Sequence, residues 1–298
     1  MYHVQSARDI ELAEPSALAG RVSGLTRASL VGRHVGAVHT GLALCSMAPG
    51  GEVGTHLHST EQSFYVLRGN PEVVVEGRAY RLSPGDCGLL PVGSPHAWRN
   101  GAEEDALWLE ANAPAPRISR SPDTFWTGEP LPPSPGAPPD IRDPRTRTFF
   151  RLSEGEMELD RLKVGAPVDA PTVSASMATA LLAYSGIAVK MLVDARLGAV
   201  LHTMFMVEYE PGGVAQPHDH PLEEAYYILE GEVEAMAEDE VFMLGPGDVF
   251  WTSVGCVHAF RNKSEGKVRW LETQSPQPPA NHSYRFNRDW DYLAERLG

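Results

Sequence analysis

Four side chains in the second half of the sequence have the types and spacing to hold a metal ion. His218 and His220 stand two apart in HDHPLEEAYYILEG, Glu224 follows four residues after His220, and His258 returns in SVGCVHAFRN. On a strand, residues two apart point to one face, so the two imidazoles can share one ion. Glu224 lies beyond the corner at Pro221, on the next strand. Three imidazoles and one carboxylate suit a divalent transition metal: Fe, Mn, Ni, Cu, Co or Zn. The absence of a thiolate from the set argues against a structural zinc. Iron(II) is the first expectation, with manganese, nickel, copper and zinc as alternatives.

The same pattern occurs earlier in the chain. At an offset of 162, Pro49-Gly50-Gly51 falls on Pro211-Gly212-Gly213, and His56 and His58 fall on His218 and His220. Gly69 falls on Gly231, Pro84-Gly85-Asp86 on Pro246-Gly247-Asp248, and His96 on His258. Asn100 matches Asn262, and Trp108-Leu109-Glu110 matches Trp270-Leu271-Glu272. Two copies of one unit account for this register. A lone strand histidine is more often a packed or surface residue than a ligand. Here six of the eleven histidines occupy the repeated positions, which favours ligation. Copy one differs at the acid: Gln62 stands where Glu224 does, and alternation aims its neighbour Glu61 the other way. An amide oxygen can coordinate but removes a negative charge. Three readings are open for His56, His58, Gln62 and His96: a weaker or different metal site, a second catalytic site tuned by the amide, or a metal-free scaffold.

The elements that must carry these residues read as strands. GLALCSM, QSFYVLRG, EVVVEG and HAWRN in copy one, and TMFMVEYE, EAYYILEG, EVEAMA and HAFRN in copy two, are short, alternating and bounded by turn residues. That pattern predicts an all-β sandwich or barrel in each copy. Pro-Gly-Asp before the third conserved strand marks a sharp corner, with Asp86 and Asp248 capping it. Residues 112–146 hold ten of the 25 prolines and read as an extended linker, either free or packed along the surface. Trp290, Leu293 and Leu297 have helical spacing, which predicts a short C-terminal helix over 288–297. The expected division is an N-terminal domain over 1–115, a linker over 116–150 and a C-terminal domain over 151–298.

Composition narrows the function. The chain of 298 residues carries 39 acidic and 25 basic side chains, a formal charge of −14. That field repels phosphate backbones and anionic lipid, so neither nucleic acid nor a membrane is an expected partner. Three cysteines without a CxxC pair exclude a disulfide scaffold in practice. The N-terminus shows no basic segment followed by an apolar one, so a cytoplasmic location is expected.

These residues resemble the cupin superfamily, and the duplication resembles a bicupin. The family's first motif, G(X)5HXH(X)3,4E(X)6G, is carried by His218, His220, Glu224 and Gly231, with Gly213 one residue closer than the pattern. The second, G(X)5PXG(X)2H(X)3N, is complete in Gly85, Pro91, Gly93, His96 and Asn100. Copy two keeps Gly247, Gly255, His258 and Asn262, with Ser253 in place of the proline. The resemblance implies two tandem double-stranded β-helix (jelly-roll) barrels whose edges are paired either between domains or by N-terminal strands exchanged with a partner chain, so that a homodimer and a compact monomer are both expected forms. Oxalate decarboxylase-like bicupins carry tryptophan between the motif histidines, where this chain has Leu57 and Asp219, which sets it apart from them.

The resemblance admits dioxygenases, decarboxylases, isomerases, hydrolases and simple binders, and fold does not choose among them. Alternation places Tyr226 and Phe260 on the inner face of copy two, and Phe64 and Trp98 on that of copy one. An aromatic lining suits an apolar or aromatic substrate. The first expectation is a dioxygenase of phenolic or enolisable dicarbonyl substrates that uses O2, with Glu224 and Tyr226 as catalytic groups. Redox-neutral hydrolysis, isomerisation or lyase chemistry, and non-catalytic binding or storage, are the alternatives.

Overall fold

The computed structural model describes residues 1–18, 20–117, 123–140, 142–152, 155–159, 185–277 and 285–286. The helix expected over 288–297 lies outside them. Among the described residues the chain is all-β, interrupted only by short 3₁₀ turns. It forms two tandem barrels of the double-stranded β-helix type, in two compact units. One gathers Ile10–Leu152 and Val193–His202; the other gathers Met1–Asp9, Ser153–Leu192 and Thr203–Gly298.

The duplication is visible in strand order. In the N-terminal unit the sheet runs Phe149–Arg151, Asp86–Leu90, Glu61–Arg68, Ala106–Ala113, Gly41–His58. Val22–Val31, His96–Arg99 and Thr124–Trp126 also pair with Gly41–His58. In the C-terminal unit the matching order is Tyr2–Gln5, Val249–Thr252, Glu223–Glu230, Val268–Ser275, Thr203–Tyr209, Ile187–Val193. A second sheet there orders Glu240–Leu244, Val233–Ala237, His258–Arg261, Val214–Asp219 and Arg285–Phe286.

Both outer edges are closed by chain that the expected boundaries place elsewhere. Tyr2–Gln5 pairs with Val249–Thr252 of the same chain, and Asp248 Oδ1 accepts from the Ala7 amide at 2.8 Å. Residues 1–9 therefore belong with the C-terminal barrel rather than with 1–115. In the N-terminal unit the edge strand is Phe149–Arg151, and Arg151 grips Asp86 through two bonds of 2.6 and 2.7 Å. The same aspartates cap their turns, accepting from the amides of Ser83 and Gly245 at 2.8 Å.

The proline-rich stretch is part of the N-terminal unit rather than a spacer. Glu72, buried in the barrel wall, accepts from Gly136 N at 2.7 Å and Ser134 Oγ at 3.1 Å, and pairs with Arg99 at 2.5 Å. Arg99 in turn donates to the carbonyls of Pro132 and Pro133. Proline carbonyls lack no acceptor capacity, so a segment poor in N–H donors docks through its oxygens. Trp126 is half-buried beside the barrel core, while Phe125 is exposed.

Each barrel has its own core. Phe64, Trp98 and Trp108 pack inside the N-terminal one, the two indoles stacked at 4.8 Å. Tyr226, Phe250, Phe260 and Trp270 fill the C-terminal one. Trp251 and Met206 are buried but lie outside that cluster. Gly69 and Gly231 close equivalent strands at φ +75°, against the facing backbone of Asp105 and Lys267, where a side chain would collide. Asn100 and Asn262 each bond several backbone groups after the histidine strand.

Candidate metal centres

A bulge places the first histidine in each barrel. The pairing of Gly41–His58 with His96–Arg99 slips between Val53 and His56, and that of Val214–Asp219 with His258–Arg261 slips between Ala215 and His218. Such an extra residue re-aims a side chain, and here it sets His56 opposite His96 and His218 opposite His258. The candidate ligand atoms of His56, His58 and His96 lie within 4.8 Å of one another, and so do those of His218, His220 and His258.

Five of the six rings set Nδ1 against a backbone carbonyl. Nδ1 of His56 meets Gly54 O at 2.8 Å, His96 meets Ser94 O at 2.9 Å, His218 meets Gln216 O at 2.7 Å and His258 meets Cys256 O at 2.9 Å. His220 Nδ1 meets Leu222 O at 3.1 Å, and His58 Nδ1 meets Thr124 Oγ1 at 3.0 Å. A backbone carbonyl fixes the proton on Nδ1 and leaves the Nε2 lone pair for an ion. Burial keeps most of these rings neutral. It pushes His218 down to about 3, with His258 adding to the effect, and holds His96 well below the ordinary range. Neutral imidazole is the form that ligates, so both groups fit a divalent metal.

The fourth ligand position differs between the barrels. Glu224 Oε2 stands 2.8 Å from His220 Nε2 and 3.2 Å from His258 Nε2. Burial works against its charge, but His220 and His258 outweigh it and hold the carboxyl well below the usual range. Burial also works against a charge on His220, and Glu224 outweighs it, raising that ring. In the N-terminal barrel Gln62 occupies the matching strand position, opposite Asn112 as Glu224 is opposite Gln274. Gln62 Oε1 and His96 Nε2 are buried there with no hydrogen-bond partner. An ion between them would satisfy both. Glu61 turns away from the histidines: its carboxylate accepts from His202 and from the amides of Val200, Leu201 and His202.

Several groups around the centres were not legible as site residues. Gln274 Nε2 donates to Glu224 Oε1, and Trp270 Nε1 donates to Glu272 Oε2 at 2.9 Å. Burial and the nearby Glu224 raise the Glu272 carboxyl well above the usual range. In the N-terminal barrel Glu110 takes the place of Glu272 and meets Arg27. The repeated Trp-Leu-Glu was the available signal for both glutamates; Arg27 has no counterpart in copy two and so no repeat to flag it. Tyr226 OH donates to Glu224 Oε2 and lies 3.1 Å from His258 Nε2, so it joins the centre as alternation predicts.

The cupin domain family matches residues 43–112 and 205–273, one stretch in each barrel. The chain belongs to the cupin family, as a bicupin. Over 59 residues the bicupin is 37% identical to 5-nitrosalicylic acid 1,2-dioxygenase of a Bradyrhizobium species, covering 20% of this chain and 28% of that protein. Over 114 residues it is 30% identical to polyketide synthase CurC of Streptomyces cyaneus, covering 37% of this chain and 72% of that one. Among solved structures, oxalate decarboxylase of Bacillus subtilis at pH 4.6 superposes with a TM-score of 0.61 at 16% identity, over 99% of this chain and 82% of that one. The Lactobacillus farciminis oxalate decarboxylase formate complex gives 0.63 at 16% identity, over 99% and 93%. At that identity the likeness is one of fold. It covers both barrels of the bicupin, although the residues between the motif histidines, Leu57 and Asp219, are not tryptophan.

Proposed function

We propose that this bicupin is a metal-dependent oxygenase of a small phenolic or enolisable dicarbonyl substrate, with one divalent ion held in each barrel. The observation that carries the reading is the convergence of three imidazoles in each barrel, five of the six with Nδ1 tied to a backbone carbonyl. His218, His220, Glu224 and His258 would hold one ion; His56, His58, Gln62 and His96 would hold the other. A bound ion with open positions would polarise a substrate oxygen and admit O2 beside it.

The chain supplies proton handling next to that position. Tyr226 and Glu224 share a hydrogen bond, and Glu272, its carboxyl raised by burial and by Glu224, lies close by. A phenol or enol must lose its proton to chelate, and Glu224 would receive it on swinging off the ion, with Tyr226 and Gln274 as its hydrogen-bond donors. Phe250 and Phe260 pack against Tyr226 and exclude water from the inner wall. The partial match to a dioxygenase supports oxygen chemistry. Iron(II) is the ion this reading favours. Manganese is the next, since B. subtilis oxalate decarboxylase has Mn(II) centres.

A second, redox-neutral reading is favoured by the buried carboxyl of Glu272 beside Glu224, where a buried acid would protonate a carbanion or leaving group. An oxygen electrode separates the two. Metal-loaded protein is screened against phenols and 1,3-dicarbonyls. Oxygen uptake matched by product supports the oxygenase; turnover without uptake supports lyase, isomerase or hydrolase chemistry.

A further inference from the structure

Five of the six imidazoles take the acceptor for Nδ1 from a carbonyl two residues away on their own stretch of chain. Local backbone therefore orients those rings. His58 is the exception. Its Nδ1 lies 3.0 Å from Thr124 Oγ1, 66 residues further along the chain. The matching ring in copy two, His220, has the local acceptor, Leu222 O at 3.1 Å. Copy two also lays a strand over this edge, Arg285–Phe286 opposite Asp219 and His218.

Thr124 is held in place by its own short strand. Thr124–Trp126 runs antiparallel to Gly41–His58, with Thr124 opposite His58 and Trp126 opposite His56. Bonds secure both ends. Asp123 O accepts from Ser59 N at 2.9 Å, and its carboxylate accepts from Ser59 Oγ at 3.0 Å and Arg117 N at 2.7 Å. Thr127 N donates to Thr55 O at 3.1 Å. The Trp126 ring lies 5.2 Å from the His56 ring, with the Arg21 guanidinium 5.9 Å over its face. None of these bonds uses Glu72, so residues 123–127 are anchored apart from the docking of 128–140. The same segment bears on His58 a second time. Burial, His56 and Arg27 push the ring down to about 3, and the Asp123 carbonyl acts against them.

We propose that Thr124 is a positioning residue of the N-terminal centre, its hydroxyl holding His58 with Nε2 presented to the ion, so that metal retention in that barrel alone depends on residues 123–127. The role rests on the reading above that the N-terminal barrel holds an ion. A hydroxyl oxygen accepts from Nδ1–H, the tautomer that leaves the Nε2 lone pair for a metal. Partners of this kind fix ring orientation and raise metal affinity. The segment joining the two cupin motif blocks is thereby part of one metal centre, while the C-terminal centre takes the orientation of its histidines from local backbone.

The test is titration of the metal-free full chain with Co2+, read by calorimetry and visible absorption, in wild type, Thr124→Val and Thr124→Ser. Valine keeps the shape of threonine and removes the hydroxyl; serine keeps the hydroxyl. Wild type is expected to show two sites. Thr124→Val is expected to keep one unchanged and weaken the other about tenfold or more. Thr124→Ser is expected to restore it. With His218→Ala added, Thr124→Val should show the weakened site alone. A second readout needs no metal. Imidazole 15N spectra of the metal-free protein, with His58→Gln for assignment, are expected to place the His58 proton on Nδ1 in wild type and Thr124→Ser, and to show that preference lost in Thr124→Val. Two sites of wild-type affinity in Thr124→Val, equal weakening at both sites, failure of Thr124→Ser to restore, or one tautomer in all three proteins would overturn the role of Thr124 and leave the two ions standing. A single site in the wild type would instead remove the ion from the N-terminal barrel, and this role with it.

Discussion

The Tyr226 hydroxyl lies 3.1 Å from His258 Nε2 and donates to Glu224 Oε2, so one phenol touches two of the four proposed ligands. The matching residue in the N-terminal barrel is Phe64, which packs the same way without a hydroxyl. Tyr226→Phe is therefore a substitution the fold already accepts. Turnover at the C-terminal centre is expected to fall about a hundredfold, the usual loss for a positioned proton donor. Metal content and the unfolding midpoint are expected to hold. An unchanged rate would remove Tyr226 from the chemistry.

A second relationship braces the N-terminal barrel. Glu61 Oε1 meets His202 Nδ1 at 2.8 Å, and His202 Nε2 meets Ser63 Oγ at 2.8 Å, all three side chains being buried. Glu61 also accepts three backbone amides. Glu61→Ala would strand those donors in the interior, at a cost of about 3 kcal/mol. Denaturant unfolding should show the loss, and Glu61→Gln should recover part of it. A change below about 0.5 kcal/mol would mean water replaces the carboxylate.

Acid should destabilise the metal-free protein before its carboxylates titrate. Burial, with neighbouring imidazoles, holds His58 and His218 down to about 3 and lowers His56 and His96. The unfolded chain protonates its histidines near pH 6.5. Between pH ~6.5 and ~3 the unfolded state binds more protons, so stability falls as pH falls. The slope approaches ~1.4 kcal/mol per pH unit for each such ring. His220, raised by Glu224 against burial, opposes this above the ordinary range. Unfolding midpoints at pH 7.5 and 5 should differ, and less so in His58→Gln. Equal midpoints would mean the rings are solvated.

The proline-rich segment should depend on one carboxylate. Glu72 holds Gly136, Ser134 and Arg99. Glu72→Ala is expected to expose residues 128–140 to limited proteolysis several-fold faster, with the metal content of both barrels unchanged. Equal cleavage rates would place the docking energy elsewhere.

The two histidine groups were legible because metal chemistry demands few residue types at fixed strand spacing, and because the chain states them twice. Strand alternation sufficed to turn Glu61 away from the histidine groups and Tyr226 toward them. What escaped had no such constraint. The pairing of Tyr2–Gln5 with Val249–Thr252 is a contact between chain ends, and no local pattern encodes a partner so far away. Arg27 sits on a strand whose inner face is otherwise apolar, and only the barrel's closure brings it near His58. The docking of residues 128–140 rests on backbone groups and one serine hydroxyl meeting Glu72 and Arg99, which no local pattern marks. The identity of the ion is set by the affinity of imidazole for many divalent metals, which spacing does not discriminate.

Metal content per chain, measured by elemental analysis after loading and exhaustive desalting, tests the central claim most directly. Wild type is expected to hold close to two equivalents, with His218→Ala and His56→Ala each losing one. Loss confined to His218→Ala would reduce the N-terminal barrel to a scaffold. Less than a tenth of an equivalent in the wild type would contradict a metal centre in either barrel, and the reactions built on it.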